Sequence, residues 1–290
     1  AAWAQTLASR GSLEARGAAL LINGFAKLQS RDVDLMETIA EQLLGSVREL
    51  NEIDIALVVH GYAKFSLPHA RLFDALRAPT IEAMGRFSVQ NLATLAHAYA
   101  RLLLRDEEVL GSVASGLRRG CDQGQPVSAN HLPSIVQAYA VKLAMCPPEL
   151  VEVIEFSLPR VVAQMTVSDI VLTVPALTHV RGLNPAPSLC GPVFRHCLTH
   201  LGRLTGSAVV SVLEAAVYLR HDCGTFWPLA LRECELSVSR GTWDSRHVAS
   251  LSLLVSEIWA SSNLPDGRRP PFTESALRGF FRAVTEESLR

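Results

Sequence analysis

Four polar side chains, Asn23, His60, His97 and Gln137, stand 37, 37 and 40 residues apart, and three of them are followed four residues later by a cation: Lys27, Lys64 and Arg101. On a helix an i, i+4 pair lies on one face, one turn apart. Stacked copies of such a helix would align two parallel rows, one of amides and imidazoles able to hydrogen-bond bases and one of cations able to meet phosphates. That is the chemistry of a surface for single-stranded RNA. The same pattern also suits a solvated or protein-facing helix, because Lys and Arg near a helix C-terminus complement its dipole. Downstream the rows fail: Gln137 is followed by Val141, and the later pairs are Pro175 and His179, Glu214 and Tyr218, then Leu253 and Glu257. A binding face built this way lies mostly in the first half of the chain.

Other residues of chemical interest form weaker patterns. The string FRHCLTH sets His196 and His200 at i, i+4 with Cys197 between them and Cys190 close by, a spacing that could start a zinc site. A fourth ligand would have to come from about one repeat away, at Cys223 or His221, so buried thiols and surface histidines are the plainer reading. The carboxylates of RDEE (105–108) fall where a helix begins, a place the dipole favours for acids without any proton-transfer role. No GxxxxGK[ST], GxGxxG, GxSxG or HExxH occurs. No catalytic residue, metal, cofactor or small-molecule substrate is therefore expected.

The elements that would carry the rows are written in the sequence as repeats. Each polar residue precedes by two an anchor position held by Phe25, Tyr62, Tyr99 and Tyr139, and the series continues through Leu177, Ala216 and Val255. A fixed period of this length marks stacked supersecondary units. Eleven residues before the anchors stand Asn51, Ser88, Ser128, Thr166, Thr205 and Asp244, all types that cap helix N-termini; the first repeat departs, with Glu14 there and Ser12 nearby. Short breaks, among them QSRD, SLPH, AMCPP, GLNPAP and HDCG, separate each anchor helix from a second apolar-periodic stretch. Each unit thus reads as a helical hairpin that cannot bury its apolar face alone. The expected fold is all-α, a right-handed α-solenoid of about seven helical hairpins. It forms one domain over 1–290, with repeats at approximately 14–50, 51–87, 88–127, 128–165, 166–204, 205–243 and 244–290. Small residues beside the anchors, including Gly24, Gly61, Ala98 and Ala138, should let adjacent helices approach closely, with the aromatic filling space between layers.

Composition sets limits on function. The 27 Lys and Arg nearly balance 28 Asp and Glu, so no global positive field announces a nucleic acid, though a local basic face is compatible with this balance. Polar residues such as Asn23, Gln164 and Asp169 interrupt the longest apolar runs, and no membrane span is expected. Six Cys without a CxxC pair suit free thiols in a reducing compartment. The chain shows neither an initiator Met nor a secretory signal, which is compatible with a targeting segment outside it. Trp227, Trp243 and Trp259 with the break NLPDGRRPP (263–271) suggest an irregular terminal unit that closes the core or docks a partner, while Trp3 stands apart at the start.

The phrase NLATLAHAYARLLLRDEEVL (91–110), echoed in EIDIALVVHGYAKFSLPHARLF (52–73), resembles octotricopeptide and heptatricopeptide repeats. It is also similar to the helical repeats of FAST-kinase-like and RAP-domain proteins. The resemblance covers about residues 14–164 and is weak from 165 to 290. It implies a non-catalytic organellar RNA-binding protein, mitochondrial or alternatively plastid. Its ligand would be single-stranded RNA or, in a mitochondrial ribosome component, ribosomal RNA, and other protein subunits would be its partners. The contacting residues would be Asn23, Lys27, His60, Lys64, His97, Arg101 and Gln137. No RAP domain follows the repeats, so no nuclease-like activity is implied. A second reading makes the solenoid a protein–protein scaffold of an organellar complex, which fits the neutral charge and the lost rows of the later repeats.

Overall fold

Residues 13–219, 225–262 and 274–288 are described by the computed structural model. They contain no strand, and their α-helices pair into hairpins of a first helix (A) and a second (B). The pairs are α1 (Ala15–Leu28) with α2 (Val33–Leu43), α3 (Glu52–Phe65) with α4 (Ala70–Glu82), and α5 (Val89–Leu102) with α6 (Glu107–Asp122). Next, α7 (Leu132–Val136, continued by a π-helical turn Gln137–Lys142) pairs with α8 (Pro148–Val161), and α9 (Val167–Ala176) with α10 (Pro187–His200). The last two pairs are α11 (Gly206–Tyr218) with α12 (Phe226–Ser239), and α13 (Ser245–Ser262) with α14 (Glu274–Ser288). Two compact units divide the chain, Ala1–Ile154 and Glu155–Arg290, with the division inside α8. Within each, A helices stack on A helices and B on B, the two-layer packing of an α-solenoid.

The A helices start where their caps dictate. Asn51 accepts the Ile53 and Asp54 N–H groups while Asp54 accepts the Asn51 N–H, a reciprocal box that Thr166 and Asp169 repeat. Ser88, Thr205 and Asp244 cap through the N–H groups of Asn91, Ala208 and His247. Ser128 departs from this pattern. A turn over 129–131 precedes α7, the Ser128 hydroxyl pairs with His131 Nδ1, and the helix opens at Leu132 with Pro133, whose missing N–H costs nothing in a first turn. Glu14 precedes α1 without a side-chain cap, and Ser12 lies outside the described residues. The B helices carry caps of their own, from Asp32, His69 and Asp106.

The anchor tyrosines do more than fill space. Tyr62, Tyr99 and Tyr139 are fully buried, and two of them donate their hydroxyl to a backbone carbonyl in the B helix of the preceding hairpin: Tyr62 to Met36 at 2.6 Å and Tyr139 to Leu110 at 2.7 Å. Phe73 links Tyr62 and Tyr99 edge to face, with centroids 6.4 and 5.6 Å away. The small residues beside the anchors are not equivalent. A Cβ on Gly61 would fall 2.2 Å from Ile22 Cγ2, so the absent side chain is what lets α1 and α3 pack. A Cβ on Gly24 would meet nothing within 4 Å, and the close approach expected there does not occur.

Candidate nucleic-acid interface

In the first unit the two rows occupy the C-terminal halves of α1, α3, α5 and α7. Asn23, His60, His97 and Gln137 are half-buried, and Lys27, Lys64 and Arg101 are exposed. Each of the three cations sits two residues before a left-handed residue that ends its helix: Gln29 (φ 53°), Ser66 (φ 54°) and Leu103 (φ 56°). The following N–H returns to the anchor's carbonyl, from Ser30 to Phe25, Leu67 to Tyr62 and Leu104 to Tyr99, at 2.9–3.1 Å. This repeated closure fixes where each helix stops and so where its cation points. Arg101 Nη2 also donates to the Lys64 carbonyl at 3.2 Å, bringing its guanidinium across to the neighbouring helix end.

The strip is of one sign. None of these four A helices carries a carboxylate in its C-terminal half; Glu52 and Asp54 stand in the first turn of α3. Among the described residues no carboxylate forms an ion pair with Lys27, Lys64 or Arg101, whereas cations of the B layer are neutralised across hairpins. Arg71 meets Glu41 at 2.8 Å, Arg77 meets Asp106 at 2.7 Å, and Arg118 pairs with Glu152. Burial lowers the His60 imidazole below its ordinary value, and Lys64 and Arg101 add to the effect. Burial, then Lys142, Arg101 and His60, do the same to His97. Both rings are therefore set as neutral hydrogen-bonding groups beside cations.

The second unit replaces this surface. Pro175 lies within α9, which passes into a 3-10 turn at Leu177–His179, and Glu214 removes the polar pairing on α11. Exposed apolar groups take row positions there: Tyr218 (64% exposed) two residues after its anchor and Leu253 (67%) two before.

The remaining candidates resolve into structural roles. His196 Nε2 donates to the Met165 carbonyl at 3.0 Å and its ring lies 4.7 Å from that of His200. Burial raises Cys190 and pushes Cys197 up to about 12, which disfavours the thiolate a metal needs. No group of three metal-ligating side chains gathers among the described residues; His221 and Cys223 lie outside them. Asp106 of RDEE caps α6 and pairs with Arg77, and Glu107 and Glu108 stand exposed in that helix's first turn. Trp227 packs on Phe226, which packs on Phe194, in the core of the second unit. Trp3 and the 263–271 break lie outside the described residues. No helix among the described residues is long and apolar enough to cross a membrane. Sequence reasoning missed the π-helical turn at Gln137–Lys142, because its extra residue falls after Tyr139 and so outside the interval of 40 that ends at that anchor.

One protein family, described as RNA-editing substrate-binding complex 6 protein, matches the chain over residues 2–184. No curated protein matches it.

Proposed function

The chain belongs to the RNA-editing substrate-binding complex 6 protein family, and from that premise we propose that it is a non-catalytic helical-repeat subunit that holds single-stranded RNA on the A-helix strip of its first unit. The single-sign row of Lys27, Lys64 and Arg101 beside Asn23, His60, His97 and Gln137 carries this reading, because a phosphate backbone requires cations that no carboxylate has already neutralised. The match supports mitochondrial localisation and leaves the plastid alternative without support. The match supports neither a mitochondrial ribosome nor ribosomal RNA as ligand, nor the octotricopeptide and heptatricopeptide assignment. An RNA that is a substrate of editing takes that place in this reading.

The test is the salt dependence of single-stranded RNA binding by the full chain and by a Lys27→Ala, Lys64→Ala, Arg101→Ala variant. Each lost phosphate contact lowers the magnitude of the log–log slope by about 0.7, so the variant's slope should be shallower by about 2.1 with its helicity intact. Absence of wild-type binding, or an unchanged slope, would leave the scaffold as the better account. A specific observation favours a scaffold role for the second unit in any case: exposed Tyr218 and Leu253 stand at the row positions that hold Lys27, Lys64 and Arg101, and Asn23, His60 and His97, in the first unit. RNA on the first unit and a protein subunit on the second are compatible within one complex.

A further inference from the structure

On paper the cationic row ends at Arg101, because the residue four after Gln137 is Val141. The backbone there counts differently. From Gln137 to Lys142 it is π-helical, and the Leu143 N–H reaches the Ala138 carbonyl five residues back at 3.0 Å. A π turn takes one residue more than an α turn, so i, i+5 replaces i, i+4 as the pair one above the other.

A second measure gives the same offset. The left-handed residue that closes the helix stands four residues after the anchor at Gln29, Ser66 and Leu103, but five after Tyr139, at Ala144 (φ 49°). The closing bond to the anchor carbonyl spans five residues in the first three hairpins and six in the fourth, where Met145 N–H meets the Tyr139 carbonyl at 2.9 Å. Lys142 therefore stands two residues before its helix end, as Lys27, Lys64 and Arg101 do. It is exposed, and among the described residues no carboxylate forms an ion pair with it. Its charge acts on His97 across to the preceding hairpin.

We infer that Lys142 is the fourth phosphate-contacting cation of the strip, and that the π turn keeps it in register with Lys27, Lys64 and Arg101 along a single-stranded RNA backbone. This rests on the RNA-binding reading. With A helices packed ~8–10 Å apart, four cations form a rail of roughly 24–30 Å.

The experiment compares the full chain with Lys142→Ala and with a swap, Val141→Lys plus Lys142→Val, which conserves charge but moves the cation about a quarter-turn or more around the helix. The probe is a short oligouridylate titrated over a range of salt, with helicity checked for each variant. Both variants should lower the slope magnitude by about 0.7. Deletion of Val141, which lets an α turn bring the lysine to i+4, should retain the wild-type slope. If Lys142→Ala leaves the slope unchanged while the triple variant of the other cations lowers it, the inference is overturned and the RNA reading stands. If the swap binds as the wild type does, position is immaterial and the inference is overturned. If an oligoglutamate of matched charge binds as tightly as the RNA, the strip is a generic anion surface and the inference is overturned. If the wild type binds no RNA, both readings are overturned together.

Discussion

A hydroxyl distinguishes three tyrosines whose rings do the same work. Those of Tyr62 and Tyr139 are spent on carbonyls of the preceding hairpin, while that of Tyr99 is buried with no hydrogen-bond partner among the described residues. Replacing Tyr62 or Tyr139 with Phe should cost about 0.5–1.5 kcal/mol, whereas Tyr99→Phe should be neutral or stabilising, because it removes an unsatisfied buried group. Urea midpoints of the three variants check this, and a loss at Tyr99 equal to the others would refute it. The histidines predict a pH effect. Folding depresses His60 and His97, so the unfolded chain holds their protons more readily; the stability they contribute is present above their ordinary value of 6.5 and is lost as pH falls through the lowered values. Phosphates beside them favour the charged form, so RNA affinity should rise as pH falls below the ordinary value of 6.5, and a His60→Gln, His97→Gln variant should lose that rise. Proton uptake on binding, measured by calorimetry in two buffers, is the check. The identity and phase of these residues were legible in the sequence. Which tyrosine finds a carbonyl was not, because it depends on ångström-scale placement of the partner helix.

At the level of helices, spacing and capping chemistry were legible because both are local. Asn51, Ser88, Thr166, Thr205 and Asp244 need only the next turn to satisfy, and five of the six expected caps form. Close approach is not local, and Gly24 and Gly61 show the difference. Gly61→Ala should destabilise by about 1–3 kcal/mol despite alanine's better helix propensity, since Ile22 is buried and β-branched and has little freedom to withdraw. Gly24→Ala should stabilise by about 0.5–1 kcal/mol. Thermal denaturation of the two variants measures the contrast, and equal shifts would contradict the packing described. The π turn was not legible in sequence for a related reason: the three residues added between Tyr99 and Tyr139 all precede Ser128, and only the backbone shows that the helix widens at Gln137–Lys142.

For the molecule as a whole, a net charge of −1 supplies no long-range attraction to RNA, so binding must come from the strip. Four phosphate contacts predict a wild-type slope of about −2.8 for a single strand. A much steeper slope in a salt titration would place contacts elsewhere on the surface. The alternation of helices was legible over the described residues, but the exposed apolar groups of the second unit were not, since exposure is decided by what neighbouring helices cover. The tryptophans are also unevenly divided between the two units: Trp227, Trp243 and Trp259 belong to Glu155–Arg290, and Trp3 to Ala1–Ile154. Once Trp3 is replaced by Phe, indole fluorescence reports on the second unit alone. One denaturation run read both by indole emission and by the far-ultraviolet signal of the helices would then set the melting of that half against the melting of the whole, with no dye attached.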